Sequence, residues 1–581
     1  MNKLYIPALI TIMGIMLLGC KKGLLDAPPK DRVDASLFFN SATDLEVYTN
    51  SFYSMLPTYL LYDAAYGETS DDIVPLIVAD RIKGNRIVPV RRGSGGWSWS
   101  ELRSINFFLQ NYTRANDENA KKKYGGIARF FRAFFYYDKV KTFGDVPWYN
   151  TVLEAGDEGL FKARDSRKLV MDSILADINY AIENIPAEKQ LNRITKYTAL
   201  ALKARICLFE GTFRKYHNLG DHERFLQEAV SAAETLIKSG AYTLFTTGGA
   251  NNAYRELFAR NDQTTTETIL ARDYNRDQLR HTLSFLMTAT TSGAFGMTKD
   301  LINSYLMKDG SRFTDKAGFA TMGYLEEMQN RDPRLTQSTA GPDFKAYGST
   351  TPEPVNLNGA TTGYRVIKAL ADKSQWNANS AYNDIIIFRF AETLLILAEA
   401  KAELGTLSQA DLDLTINKLR DRVGMPHLNM GAANANPDHY QLDMYPNVSG
   451  ANQGVILEIR RERRIELFNE GFRWDDLMRW KAGKKLEKPM LGIYFPSVGA
   501  YDFTGDGKAD VFVHNGSTAG APAGISSFIN IKQRPLTGTT SGNLYPFRTP
   551  VVFDESKDYY YPIPSEDLIL NENLKQNPGW Q

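Results

Sequence analysis

The chain has 581 residues, of which 43% are hydrophobic and 23% charged, and a net charge of +1. That is ordinary globular composition, with enough length for a core that needs no disulfides. The near-zero charge offers nothing to nucleic acid or an anionic membrane surface. Six scattered histidines with no HExxH pair argue against a zinc enzyme.

The N-terminus opens with Lys3, then an apolar run over 6–18, then Leu17-Leu18-Gly19-Cys20. A positive start, a short apolar core and a small residue before the end make a secretory signal, too short to span a membrane comfortably. A cysteine directly after Leu-Leu-Gly matches the bacterial lipoprotein box. Residues 1–19 are therefore expected to be removed and Cys20 lipidated, tying the protein to a membrane by this end alone. Each buried acyl methylene adds roughly 0.8 kcal/mol to such an anchor. The competing reading is an ordinary secretory signal with an accidental cysteine. Residues 20–35 read as an extended tether, with Pro28-Pro29 disfavouring helix. Cys207, the other cysteine, sits in an apolar helical run and reads as a buried free thiol.

Residues 36–56 read as a first helix, with Ser41 or Thr43 as its cap. Residues 57–100 are loop-like; they end in the glycine-rich stretch 93–96, then Trp97 and Trp99, before ELRSINFFLQN resumes helix. From 125 to 240 apolar positions recur at three and four: 125–143, 166–185, 194–212 and 224–240, with Gly211 and Gly240 as stops. Such lengths approach the helix–turn–helix unit of tetratricopeptide repeats, though no strict consensus recurs. A helix with one apolar face must bury it on a neighbour, so stacked pairs are expected. Residues 241–380 are rich in turn residues, with short helices near 297–307 and 320–328. Helix returns at 385–405 and 411–423, and 485–550 is irregular again. Long irregular stretches in a packed protein are often functional.

The segment 453–480, QGVILEIRRERRIELFNEGFRWDDLMRW, reads as two helices joined at Asn469-Glu470-Gly471. Glu458, Glu462 and Glu466 share one face, as do Arg460 and Arg464. Arginine suits partly buried, bidentate pairing with carboxylates, so this helix is expected to carry structural ion pairs. A solvated charged helix is the alternative.

No P-loop, nucleophile elbow or dinucleotide fingerprint occurs. Pairs such as Asp71-Asp72 and Asp475-Asp476 are expected by chance among 67 acidic residues. The chain does not read as an enzyme. One stretch has metal logic: Asp502, Thr504, Asp506 and Asp510 stand at positions 1, 3, 5 and 9 of a calcium-type loop. Gly507 is at position 6, and the Lys508 carbonyl stands at position 7. Val513 replaces the usual glutamate at position 12, so this is no regular EF-hand. A structural calcium ion and a plain Asp/Gly turn are both open.

The string ERRIELFNEGFRWDDLMRW resembles the most recognisable segment of the SusD/RagB family of outer-membrane lipoproteins. Further matches follow in order along the chain: RFFRAFFYYDKVKTFGDVPW at 129–148, Arg331-Asp332-Pro333-Arg334, FRFAETLLILAEA at 388–400 with Arg389, Glu392 and Glu399, INKLRDRVGMP at 416–426, and YYYPIPSEDLILNENLKQNPGW at 559–580. The resemblance implies a mostly α fold over 36–581, in which tetratricopeptide-like pairs (125–240 and 385–480) scaffold a loop-rich ligand face (57–100, 241–380 and 485–550). It also implies capture of an oligosaccharide or polysaccharide at the cell surface, and delivery to a SusC-like TonB-dependent barrel. Calcium occurs in some family members. Peptide binding by the same architecture, or a tetratricopeptide-type scaffold for protein partners, are the alternatives.

A sugar's apolar face stacks on an aromatic plane while its hydroxyls seek polar side chains. Trp97 and Trp99, with Arg91 or Arg92 nearby, are the first glycan-binding candidates. Trp376, set among Gln, Asn and Ser and expected to be exposed, comes next, with Tyr274 and Tyr66. Core packing is the competing role for each.

Overall fold

The computed structural model describes residues 38–66, 70–154 and 156–581. Cys20, the signal and the tether lie outside the described residues.

Eleven helices are used below. They are α1 (Ala42–Asn50), α2 (Ser100–Asn111), α3 (Glu118–Phe143), α4 (Arg167–Asn184), α5 (Lys196–Tyr216), α6 (His222–Lys238), α7 (Phe390–Leu404), α8 (Ile416–Arg422), α9 (Gln453–Glu466), α10 (Arg473–Arg479) and α11 (Ser565–Leu570). Shorter helical turns intervene. Nine short strands, β1 (Ile73–Val74), β2 (Thr268–Arg272), β3 (Gly296–Met297), β4 (Ile385–Arg389), β5 (Tyr494–Phe495), β6 (Gly499–Tyr501), β7 (Val511–His514), β8 (Ser527–Asn530) and β9 (Gly542–Asn543), form small sheets of two or three strands. The fold is mostly α and tetratricopeptide-like, as the periodicity implies.

The start signal of the first helix is read correctly. Ser41 caps α1 in a capping box, and Ser166 caps α4. Two readings are corrected. Gly211 does not end α5; it lies inside the helix, where an added Cβ would come within 2.7 Å of Leu226. The glycine lets α5 and α6 approach closely. The run at 385–389, Ile-Ile-Ile-Phe-Arg, is strand β4 rather than the start of α7, in keeping with its β-branched side chains.

α3 packs on α4, α5 on α6, and α7 against α6, giving a stack of antiparallel helices around one core. A second core underlies the irregular segments. It holds Ile302, Tyr305, Tyr364, Val366, Ile493, Phe503, Val511 and Ile529. α9 bridges the two: Ile456, Leu457 and Ile459 enter the first core, while Ile465 and the following Phe468 enter the second. β2 and β4 pair antiparallel, so the chain leaves the helical stack at Arg272 and re-enters it at Ile385 at one place. The third irregular stretch is less formless than its sequence: β6, β7 and β8 make a three-stranded sheet, with β7 and β8 parallel.

The charged face of α9 is buried, not solvated. Glu458, Arg460, Arg461, Glu462, Arg463, Arg464 and Glu466 are all buried. Glu466 accepts from Arg389 at 2.8 Å, from Arg422 at 2.6 Å and from Arg334 at 3.1 Å. Arg464 donates to Asp72 at 2.5 Å and Asp300 at 2.9 Å, and Arg473 to Asp71 at 2.7 Å. The turn after α9 uses the left-handed region at Asn469 (φ 61°) and Gly471 (φ 79°). There the Gly471 amide donates to the buried Asp63 carboxylate at 3.3 Å.

Burial, aided by the nearby Asp72 charge, pushes the Asp63 carboxyl up to about 7. A carboxyl raised above its unfolded value leaves stability intact below about pH 4. It costs stability as pH climbs through the folded value. Asp63→Asn keeps an acceptor for Gly471 and removes that cost. It is expected to match the wild type near pH 4 and to exceed it by about 1–3 kcal/mol at pH 8. Urea denaturation at the two pH values checks this; a variant less stable at pH 8 would show that the carboxylate is needed ionised.

Candidate ligand-binding site

Two concavities compete. The first is a groove of about 630 Å³ beside the helical stack, between α2, the 147–161 connection and α11. Trp99 lies half-buried at its floor, its ring 5.7 Å from Tyr149 and edge-on to it. Leu102, Leu153, Leu160, Phe161, Leu570 and Leu574 supply apolar walls. The polar groups here are already engaged. Asn106 donates to the Tyr149 and Thr151 carbonyls at 3.0 and 3.2 Å, and Arg103 pairs with Glu154 at 3.2 Å.

The sequence-predicted residues are only partly gathered by this groove. Trp97 is 3% exposed and packs edge-on against Phe143 at 4.8 Å; its indole serves the core, and a stacking platform needs an open face. Arg91 and Arg92 are both exposed, but only Arg92 lines the groove, at 4.0 Å from Asp567. Trp376 is half-buried rather than exposed. Its indole donates to the Ala371 carbonyl at 2.9 Å, Arg365 and Lys373 lie over its ring, and its body packs on the second core. Tyr274 is 5% exposed, its hydroxyl accepting from the Tyr59 amide at 3.3 Å. Tyr66 ends a short helical turn, Asp63–Tyr66. Neither Trp376 nor Tyr274 lines either concavity.

The second is a cleft of about 320 Å³, lined by Pro75, Leu76, Thr290, Ala294, Asn358, Ala360, Thr361, Gln533, Arg534, Pro535, Leu544, Tyr545 and Pro546. It draws on all three irregular stretches. Backbone pairing sets the walls. β1 pairs with β3, the Leu76 amide donates to Gly293 at 3.0 Å, and the Thr361 amide donates to Ala294 at 2.9 Å. The third wall is tied in by Ile493 donating to Thr362 at 2.9 Å and Tyr545 donating to Pro535 at 2.8 Å. Arg534 locks this junction. Its Nη1 reaches the Leu357 carbonyl at 2.9 Å, and its Nη2 the Ala360 and Thr361 carbonyls at 2.7 and 3.0 Å. The base of β1 is fixed from below, since Asp71 and Asp72 are the partners of Arg464 and Arg473. The cleft offers one half-buried aromatic ring, Tyr545, with polar groups from Thr290, Asn358, Thr361 and Gln533 and apolar surface from Leu76 and three prolines. That mixture of few convergent polar groups on a largely apolar wall is the usual make-up of a small-molecule site. Sequence reasoning flagged all three stretches but named none of these residues.

The 502–510 loop closes on itself. Asp502 accepts from Gly505 at 2.6 Å and Gly507 at 2.8 Å, Asp506 from Lys508 at 2.9 Å, and Asp510 from Phe503 and Thr504 at 2.9 and 3.0 Å. The donor chemistry suits a hard cation, but among the described residues no three His, Cys, Asp or Glu side chains converge on one point.

A family model described as the SusD family matches residues 258–580. The chain belongs to the SusD family. A second model of SusD-like proteins, described as starch-binding and associating with the outer membrane, matches residues 98–208. Association with the outer membrane goes with that family description. No helix among the described residues is long and apolar enough to cross a membrane. The chain is similar to SusD-like protein P38 of Formosa agariphila, 25% identical over 64% of this chain and 69% of that one. It is also similar to SusD-like protein P2 of the same organism, 22% identical over 98% of both. Among solved structures, a SusD-like protein of Bacteroides fragilis aligns with a TM-score of 0.69 at 21% identity, covering 95% of this chain and all of the other. A SusD-like carbohydrate binding protein of the same species gives a TM-score of 0.69 at 21% identity, over 93% of this chain and all of that one. The SusD fold therefore holds across nearly the whole chain.

Proposed function

We propose that this SusD-family protein captures an oligosaccharide or polysaccharide at the outer surface of the outer membrane and hands it to a TonB-dependent transporter. It would be held there through a lipid on Cys20. The observation that carries this reading is the cleft between residues 75–76, 290–361 and 533–546. Three stretches without helical period converge there on a SusD frame and leave a pocket with an aromatic ring and the side-chain hydroxyl and amide groups of Thr290, Tyr545 and Gln533. A solved neighbour is described as a carbohydrate binding protein, in line with this. Binding rather than turnover fits the lining, because a glycosidase needs two carboxyl groups across the bond it breaks and the cleft wall carries none. Ligand closure of the protein onto its barrel would act by favouring one of two pre-existing arrangements.

Calorimetry of the mature chain, starting at Cys20 without its lipid, against polysaccharides and peptide mixtures tests the proposal. Saturable glycan binding is expected, and Tyr545→Ala is expected to weaken it about tenfold or more, a loss of ~1.4 kcal/mol. Trp99→Ala is expected to leave the affinity in place. Loss in Trp99→Ala alone would move the site to the groove. Binding of peptides alone would move the function to the peptide-handling alternative. The groove supports a second reading: its aliphatic walls and engaged polar groups suit the side chains of a protein or peptide partner better than a sugar.

For the 502–510 loop the proposal is a structural calcium ion held by Asp502, Thr504, Asp506, the Lys508 carbonyl and Asp510. Millimolar calcium is expected to raise the melting midpoint by a few degrees, through preferential binding to the folded state. Asp506→Asn should abolish the shift. An unchanged midpoint with calcium would leave the loop as a self-bonded turn.

A further inference from the structure

The wall of the 320 Å³ cleft contains a full positive charge and no negative one. Among its lining residues Arg534 is the sole ionisable group apart from the Tyr545 phenol, and neither aspartate nor glutamate appears. Six buried arginines elsewhere in this chain are treated differently, although Arg331, like Arg534, is held by backbone carbonyls with no carboxylate among the described residues. Arg334, Arg389, Arg422, Arg464, Arg473 and Arg479 each meet at least one carboxylate within 3.1 Å. Arg534 meets none. Its partners are backbone carbonyls and the Asn358 side-chain oxygen at 3.3 Å, all taken by Nη1 and Nη2. Nε has no partner among the described residues.

A guanidinium stays protonated at neutral pH in this setting, since burial lowers it only to about 10. Among the described residues no carboxylate pairs with it, and burial is what lowers it. A partly buried cation surrounded by dipoles alone is short of a counter-charge, and an anion brought beside it recovers part of the lost solvation. With all four Nη hydrogens engaged, the Nε–H is the donor left for a carboxylate or sulfate oxygen, and a charge-assisted bond of this kind is roughly twice as strong as a neutral one. Gln533 and Tyr545 lie on the same wall and add an amide and a hydroxyl donor. The chain as a whole is nearly neutral, so the bias is local to the cleft.

We infer that the cleft selects an acidic glycan, one whose sugar units carry carboxylate or sulfate groups, and that Arg534 receives the acidic group. This rests on the glycan reading of the cleft given above. Calorimetry with neutral, uronate-containing and sulfated oligosaccharides of equal length, at 50 and 300 mM salt, separates the two claims. At least one acidic series should bind tenfold or more tightly than the neutral one, and that advantage should shrink as salt rises. Uronate and sulfate arms identify the group. Gln533→Glu alters an exposed side chain and places a carboxylate beside Arg534. It should weaken acidic ligands tenfold or more and neutral ones far less. Neutral sugars binding as well as or better than acidic ones would overturn the inference and leave glycan capture standing. No binding of any sugar would overturn both.

Discussion

Glu466→Gln is expected to cost about 3–5 kcal/mol of folding stability, the loss typical of removing one partner from a buried charge cluster. The substitution keeps shape and removes one charge. Arg334, Arg389 and Arg422, each buried, would then face a neutral amide where they now share a carboxylate. Although burial works against ionisation, Arg422, Arg389 and Arg334 hold Glu466 far below the usual carboxylate range. A depressed folded value means the contribution is present above the unfolded value near pH 4 and lost only as pH falls into strong acid. Urea denaturation at pH 7 measures the effect as a shift of midpoint at constant slope. A change below about 1 kcal/mol would mean that Asp332, Glu462, Glu267 and Glu470 suffice to balance the arginines.

Arg464→Ala is the second large effect, expected at about 3–5 kcal/mol together with weakened glycan binding. Arg464 collects Asp71, Asp72 and Asp300, which lie on two of the three chain segments that reach the cleft. Asp72 is followed directly by β1, and Pro75 and Leu76 line the cleft just beyond. Against the penalty of burial, Arg473, Lys485 and Arg464 together hold Asp71 well below its ordinary range. Without Arg464 the remaining cations must serve three carboxylates. Denaturation and calorimetry on the same sample, at a temperature where the variant is folded, test the coupling. Full affinity in a destabilised variant would show that the cleft wall is set by the β1–β3 pairing alone.

The helical stack was legible because a period of 3.6 residues is written locally, and Ser41 announces its helix with a side chain three residues from its partner. Gly211 misled because glycine is read as a stop; the close approach of Leu226 that explains it belongs to a neighbouring helix. β4 misled because a short apolar run has no period of its own. The arginine and glutamate spacing on α9 pointed to ion pairs, yet most partners lie tens to hundreds of residues away. The candidate site was least legible. Leu76, Asn358, Arg534 and Tyr545 stand far apart in sequence and share no spacing, and what makes them a site is the pairing of short strands that propensity alone does not signal. Trp97 drew attention as a tryptophan after a glycine run, and that position proved to be an anchor at the foot of α2.

The pairing of β2 with β4 has a consequence for how such a protein can change over evolutionary time. Residues 273–384 depart from and return to adjacent, hydrogen-bonded positions, so the helical frame sees that whole stretch as a loop with fixed ends. Closing a longer or shorter loop between fixed ends alters the free energy only slowly with length. The stretch can therefore be lengthened, trimmed or exchanged in part, provided that Arg389 and its carboxylates stay in place to seat the returning strand and that Asp300, Arg334 and Lys368 keep their pairing with α9 and the turn after it. Two walls of the cleft, at 290–294 and 358–361, lie within it. A lineage could accordingly retarget its cargo by changes at 290–294 and 358–361 while the helical stack and its ion pairs remained in place.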